Sequence, residues 1–368
     1  MPTLGSEQQP ALATEPKTTR CRSAREDFPC DNLCRPLYVR VDANEQHVKI
    51  GIFTALFGEW PLSQVASHVA DLGYEAVELP AWAGNAHLDL SQVLAGGGMQ
   101  IRKLLSDRGL TISAINHGVA GQLSMGPHDS STDIWAPGMG PVEKVAYARA
   151  EILKAVRAAS ELEVPVVTGL IGSHVWDKWY IFPPANEKLY EEGVALFAER
   201  WNPILDEFKK YGVKWALEVH PTGIAYNIET AQMALAALDN RPELGFNFDP
   251  SHLVWQLIDP VVFIKTFRDK ILHCHAKDGE LQEDEVKRSG VIPTGGWMRP
   301  DRGFRFRVPG WGQVNWRRVI TALVSGGYDY VISFEHEDPV MSPEDGAEKA
   351  IAYLRPLIIK KPLTRVWW

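Results

Sequence analysis

From Val48 to about residue 358 the chain alternates apolar, β-branched runs with amphipathic stretches, and the alternation repeats eight times. The strand-like runs are VKIGIFTAL, YEAVELP, LTISAINHG, VPVVTGLIG, VKWALEVH, LGFNFD, KILHCHAK and YVISFEH. Between them lie helix-like segments such as PLSQVASHVADLGY, ending near Gly73, and Leu94–Arg108, closed by Gly109. A long helix reads through VEKVAYARAEILKAVRAASELE, and another runs from about Glu187 to Tyr211. Continuous apolar runs are strands buried on both faces, as parallel sheets require. Eight β/α pairs predict an α/β fold: a closed (β/α)8 TIM barrel over residues 48–368.

Two segments fall outside that rhythm. Residues 1–47 are rich in Pro, Thr, Glu, Gln and Arg and carry no sustained period, so an irregular, arm-like N-terminal extension is expected. Three of the chain's four cysteines lie there, Cys21, Cys30 and Cys34. They suit a thiolate clip or a redox switch, or simply an arm packed on the surface or on a second subunit. With no CxxC pair, the arm is the reading carried forward. The connection after strand seven, about Asp278 to Gln313, is long and holds GVIPTGGWMRPDRGFRFRVPGWG. Long loops in compact domains are functional or disordered, and aromatics with Arg favour a lid or substrate wall at the barrel mouth.

Composition removes several classes. With 38 basic and 46 acidic residues the net charge is −8, whereas a nucleic-acid groove needs a basic stripe. No apolar run reaches membrane-spanning length. The opening MPTLGSEQQPALATEPKTTR lacks an apolar signal region, and four cysteines make no disulfide scaffold, so a reducing cytoplasm is expected.

Four of the strand-like runs end in polar groups. WALEVHP carries Glu218 and His220; GFNFDPSH carries Asp249 and His252; ILHCHAKD carries His273, His275 and Lys277; VISFEHED carries Glu335 and His336. Two Glu, one Asp and one His converging on a point make a hard, mostly oxygen site for a divalent ion. The C-terminal mouth of a barrel is where such strand ends meet.

Through FNFDPSHLVWQ, HCHAKD, RVPGWGQVNW and SFEHEDP the chain resembles the xylose-isomerase-like TIM barrel superfamily, in its sugar phosphate isomerase/epimerase branch. The resemblance runs from about Val48 to Leu357. It implies that Glu218, Asp249, His275 and Glu335 hold one divalent ion, Mn²⁺ first, with Mg²⁺ or Co²⁺ as alternatives. It also implies that His252 and Lys277 line the substrate site. Residues 1–47 have no counterpart in it, and NHGVAGQLSMGPHD departs from the family's His-containing loop.

The chemistry expected is proton abstraction beside the carbonyl of a keto-sugar, through a metal-stabilised enediolate. Glu218 and Glu335 would both ligate the ion, at least one also acting as base. Asp249 would be a plain ligand, and His275 would ligate through one ring nitrogen with an acceptor holding the other. His220 lies two residues beyond Glu218 and so shares its side of the strand. It is either an added acid or base, suited to elimination, or a histidine that orients a ligand. His117, Arg307 and Trp60 are further candidate substrate contacts. Arg305 shares the face of Arg307, and the pair can clamp an anion or bind acidic neighbours. Trp82, Trp176 and Trp297 suit sugar or aglycone faces or plain packing. His273, deeper in its strand, reads as a barrel-interior residue, and His336 as structural.

The leading reaction is therefore isomerisation or epimerisation of a keto-sugar. The runner-up is a lyase that eliminates water or an aglycone from a 3-keto-glycoside. Apurinic-site endonucleases share the barrel but need several metal ions and a basic track, which this chain lacks. The expected partners are a small sugar or glycoside and further copies in a homo-oligomer, with a small partner subunit left open; neither nucleic acid nor membrane is expected.

Overall fold

The computed structural model describes residues 48–178, 188–292 and 294–363. The arm with its three cysteines, Glu187 and the terminal VWW lie outside the described residues. Strands run at β1 Lys49–Phe53, β2 Ala76–Pro80, β3 Thr111–Asn116, β4 Val166–Gly169 and β5 Lys214–Glu218. They continue at β6 Leu244–Phe248, β7 Ile271–Ala276, β8 Asp278–Leu281, β9 Phe304–Arg307 and β10 Val331–Phe334. Eight of them close a parallel barrel in the order β1-β10-β7-β6-β5-β4-β3-β2. Closure is made where β1 pairs with β10, Lys49 opposite Val331, while its other edge pairs with β2. This is the expected TIM barrel. Its strands are the eight apolar runs, each shorter than its string, and AVELP, LGFNF and VISF are buried throughout.

The longer helices between the barrel strands each bury one face. Leu62–Leu72 buries Val65, Ala66 and Val69 and stops at Gly73, whose φ of 90° is a left-handed conformation that glycine adopts without strain. Pro141–Glu161 begins with its proline at the first helical turn, where no backbone N–H is missed. The outer layer closes on large side chains: Trp201 meets Trp215 edge-on at 4.9 Å between ring centres, and both are fully buried. No described helix is long and apolar enough to cross a membrane.

Three details depart from the sequence reading. The helix read as Leu94–Arg108 starts at Leu90 and is interrupted at Gly96, with φ 100°. A short helix, Gly118–Met125, follows β3 directly. Gly121 makes that possible, since a Cβ there would lie 1.8 Å from the Leu170 carbonyl oxygen. The long connection after β7 is ordered as an antiparallel hairpin, β8 with β9, around a helix Glu283–Ser289.

Asp278 ties that hairpin to the barrel. Its buried carboxylate accepts from the backbone N–H of Gly279, Gly310 and Val314 and from Trp316 Nε1, at 2.8 to 3.0 Å. Four donors on one carboxylate fold RVPGWGQVNW back over the strand end.

Candidate metal centre

Parallel strands deliver their last residues to one end of the barrel. Glu218 closes β5, Asp249 follows β6, His275 is the last inward-facing residue of β7, and Glu335 follows β10. One donor atom from each of these four lies within 4.8 Å of the others. His275 Nδ1 is 3.0 Å from Glu335 Oε2 and 3.2 Å from Glu218 Oε2. All four side chains are buried or nearly so, Glu335 being the most open at 14%.

Behind His275 stands Glu78, in the middle of β2 and fully buried. Its Oε2 is 2.9 Å from His275 Nε2; its Oε1 accepts from Thr168 Oγ1 at 2.5 Å and Asn116 Nδ2 at 3.1 Å. An ionised carboxylate only accepts, so Nε2 is the N–H of His275 and Nδ1 faces the three front carboxylates. His273 belongs to this inner layer, held by Asn247 Oδ1 at 3.0 Å and Ser113 Oγ at 3.2 Å.

Lys277 adds a cation at the centre. Its Nζ is 2.6 Å from Glu335 Oε2, 2.9 Å from Glu337 Oε2 and 3.2 Å from Asp249 Oδ2, and the side chain is 2% exposed. Burial opposes its charge, but Asp249, Glu335, Glu337 and Glu218 outweigh that and hold its pKa well above the ordinary value. His275 follows the same logic: burial lowers it, and Glu335, Glu78 and Glu218 raise it further. Burial likewise works against the charges of Glu218 and Glu335. His275, aided by His252 at Glu218 and by Lys277 at Glu335, brings Glu218 well below the carboxylate range and Glu335 to about 2. Asp249 moves the other way. Burial, with the like charges of Glu218 and Glu335, outweighs Lys277 and raises it to about 7.

The residues fit a divalent ion. Among the described residues Asp249 Oδ2 and His275 Nδ1 are buried without a well-aligned hydrogen bond, Asp249 Oδ2 having only the Lys277 ammonium at 3.2 Å, although both lie in the centre of the cluster. The Lys277 ammonium stands in as a positive charge between Asp249 and Glu335. Three carboxylates and one imidazole form a mostly hard donor set, so the cluster is consistent with a divalent metal site.

A cavity of about 460 Å³ opens over it, lined by Phe53, Trp82, Asn116, Trp135, His220, Lys277 and Glu337 among others. His220 stands in its wall with its ring 4.3 Å from that of His252, and burial lowers its pKa. His252 Nε2 is 3.1 Å from Glu218 Oε1; burial and the Lys277 charge bring this histidine to about 3, so it is neutral.

The structure gathers Glu218, His220, Asp249, His252, His275, Lys277 and Glu335 at one place. The remaining three candidates lie elsewhere. His117 sits beyond the last residue of β3, where the backbone turns, and its buried ring faces Glu151 of the helix Pro141–Glu161 at 3.7 Å. Trp60 stacks on Phe57 at 4.7 Å and against His68, outside the cavity lining. Arg307 is neutralised by Asp338 at 2.9 Å and Glu280 at 2.6 Å, and Arg305 shares Glu280, so the two clamp their own neighbours. His336, expected as structural, packs on Gly346 and also borders the cavity. Sequence reasoning missed Glu78, Asn116, Trp135 and Glu337. For Glu78 a signal was present, since it is the one charge inside the otherwise apolar AVELP, and a lone carboxylate is not buried without partners.

The profile of xylose isomerase-like TIM barrels matches residues 66–357. The chain belongs to that family, whose members include sugar epimerases and inosose dehydratases. It is similar to the uncharacterized protein YfiH of Bacillus subtilis (strain 168), 26% identical over 332 residues, which covers 84% of this chain and 99% of YfiH. The inosose dehydratase of Lacticaseibacillus casei is 26% identical over 152 residues, 40% of this chain and about half, 49%, of the dehydratase. Among solved structures, the 3-keto-D-glucoside 4-epimerase YcjR from E. coli has the same fold at TM-score 0.60 and 12% identity, covering 84% of this chain and 99% of that one.

Proposed function

We propose that the chain is a divalent-metal-dependent enzyme that moves the proton beside the carbonyl of a keto-sugar and so isomerises or epimerises it. The observation that carries this reading is a pair of carboxylates, Glu218 and Glu335, with one oxygen each at 3.2 and 3.0 Å from His275 Nδ1 and both lining one cavity. Glu218, Asp249, His275 and Glu335 would hold the ion, which when bound lowers the cost of negative charge on the substrate oxygens as the C–H bond breaks. Mn²⁺ suits three carboxylates with one imidazole, and Mg²⁺ and Co²⁺ are the alternatives to test.

The chain's own groups carry the proton. A Glu335 oxygen, kept ionised by His275 and Lys277, is ready to accept it. Return by the same carboxylate to the neighbouring carbon, with the hydroxyl proton passing to the former carbonyl oxygen, gives isomerisation; return by Glu218 to the opposite face of the same carbon gives epimerisation. Lys277 and His252 reach substrate oxygens from beside Glu335 and Glu218. Phe53, stacked 6.0 Å from His275, and Trp82 make the apolar wall that keeps water off the reacting carbon.

His220 favours a second reading. It borders the cavity as a neutral imidazole outside the donor quartet, a third group able to carry a proton. Elimination of water or an aglycone needs such a group for the departing oxygen, and the similarity to inosose dehydratases points the same way. The test is NMR in D₂O of Mg²⁺-exchanged protein with keto-sugars and 3-keto-glycosides. Solvent deuterium entering beside an intact carbonyl, and lost in Glu335→Gln, supports the first reading. Release of water or aglycone, lost in His220→Gln, supports the second, and absence of both refutes enolisation.

A further inference from the structure

Beyond the metal centre the hairpin encloses a second cavity, of about 210 Å³, lined by Trp297, Met298, Arg302, Arg305, Phe306 and Glu337 among others. Glu337 lines both cavities, so the two adjoin. Phe306 is the partition. The Lys277 ammonium lies 4.8 Å from its ring centre and the His252 ring meets it edge-on at 5.1 Å, while Trp297 stacks on it at 5.8 Å.

The charges here do not balance. Arg305 and Arg307 are answered by Glu280 and Asp338, and Arg299 by Asp301. Arg302 makes no ion pair with any described residue, although it is only 5% exposed. Its guanidinium lies over Trp297 at 4.2 Å and near Phe304 at 5.4 Å; Nη1 donates to the Gly295 and Gly296 carbonyls, and Nε is buried without a partner among the described residues. A buried cation without a counter-charge is costly unless a ligand supplies one. At the rim the adjacent Trp297 and Met298 are 61% and 73% exposed and add an open apolar edge to the cavity.

We propose that this annex is a subsite for a planar ring bearing an anionic substituent, attached to the sugar that occupies the metal cavity. The proposal rests on the sugar reading above and narrows its substrate to an aryl glycoside carrying a carboxylate or a phenolate. Size agrees, because a cavity of about 150 Å³ holds a benzene ring. Trp297, Met298 and Phe306 supply the apolar surface, Arg302 the counter-charge, and Glu337 marks the passage to the sugar.

The experiment is calorimetric binding to the metal-loaded full chain of four probes. They are methyl, phenyl and 4-carboxyphenyl β-D-glucopyranoside, and 4-methoxybenzoate as a ring without sugar. The 4-carboxyphenyl glucoside is expected to bind at least about tenfold more tightly than the methyl glucoside, with phenyl between them. Trp297→Ala, at the exposed rim, should bring the aryl glucosides to the methyl glucoside's affinity without changing the latter. Arg302→Gln should erase only the increment due to the carboxylate. Equal affinity of methyl and aryl glucosides, or failure of every aryl probe to bind, overturns the subsite; methyl glucoside binding alone leaves the sugar reading standing. Trp297-dependent binding of 4-methoxybenzoate with no glucoside bound supports the subsite and counts against the sugar reading instead.

Discussion

The barrel holds two layers of similar polar residues, and they behave differently. In the inner layer Thr168 donates to Glu78 and His273 bonds Asn247 and Ser113, while Ser113 also donates to the Val77 carbonyl and Asn247 to Glu218 of the outer layer. In the outer layer Glu218, Asp249, His275 and Glu335 crowd their charges around Lys277, and among the described residues Asp249 Oδ2, His275 Nδ1 and His252 Nδ1 lack well-aligned hydrogen bonds. Glu78, His273 and His275 also have donor atoms close enough for an ion. Spacing alone does not separate the layers. The crowding of charge does: the inner residues are held by neutral donors and acceptors, whereas three outer carboxylates converge on one imidazole and one ammonium. His275 belongs to both, and Glu78 transmits the rigidity of the first to the second.

Four perturbations separate the two layers, the largest effect first. Glu335→Gln is expected to lower kcat by about 10²–10⁴-fold, as loss of a positioned base does, with the fold kept by circular dichroism. Glu78→Gln breaks a buried ion pair in the inner layer and should cost about 3 kcal/mol, measured by urea unfolding of metal-free protein. Acidification acts on the outer layer. Asp249 is raised to about 7, so below that pH it carries a proton that an entering ion must displace. His275, raised by the same carboxylates, must also give up its Nδ1 proton to ligate, so metal affinity should rise by at least about tenfold per pH unit up to pH 7 and keep rising above it, checked by Mn²⁺ titration from pH 5 to 8. Trp60→Phe, outside both layers, should leave KM within about twofold, the scale of a surface substitution.

What was legible in the sequence follows the range of each signal. The barrel could be read because strand burial and helix periodicity are local, and the donor quartet because each member closes an apolar run. Direction was harder to read. His117 lies one residue past the end of β3, where φ −129° and ψ 47° swing its ring away from the mouth. Trp60 follows a one-turn helix, Thr54–Phe57, that redirects the chain after β1. Arg305 and Arg307 do share a face by strand alternation, but the carboxylates they meet come from β8 and the segment after β10, and pairing across such separations leaves no local trace. Glu78 was readable in principle, as a charge inside an apolar strand. Its partner, 197 positions away, was not.

The most direct test of the division into two layers is Mn²⁺ binding followed by electron paramagnetic resonance on the wild-type chain, Asp249→Asn and His273→Gln. One ion per chain is expected, with hyperfine coupling to a single imidazole nitrogen, lost in Asp249→Asn and kept in His273→Gln. Binding that survives Asp249→Asn, or that disappears in His273→Gln while the protein stays folded, would contradict the assignment of the outer layer as the metal centre.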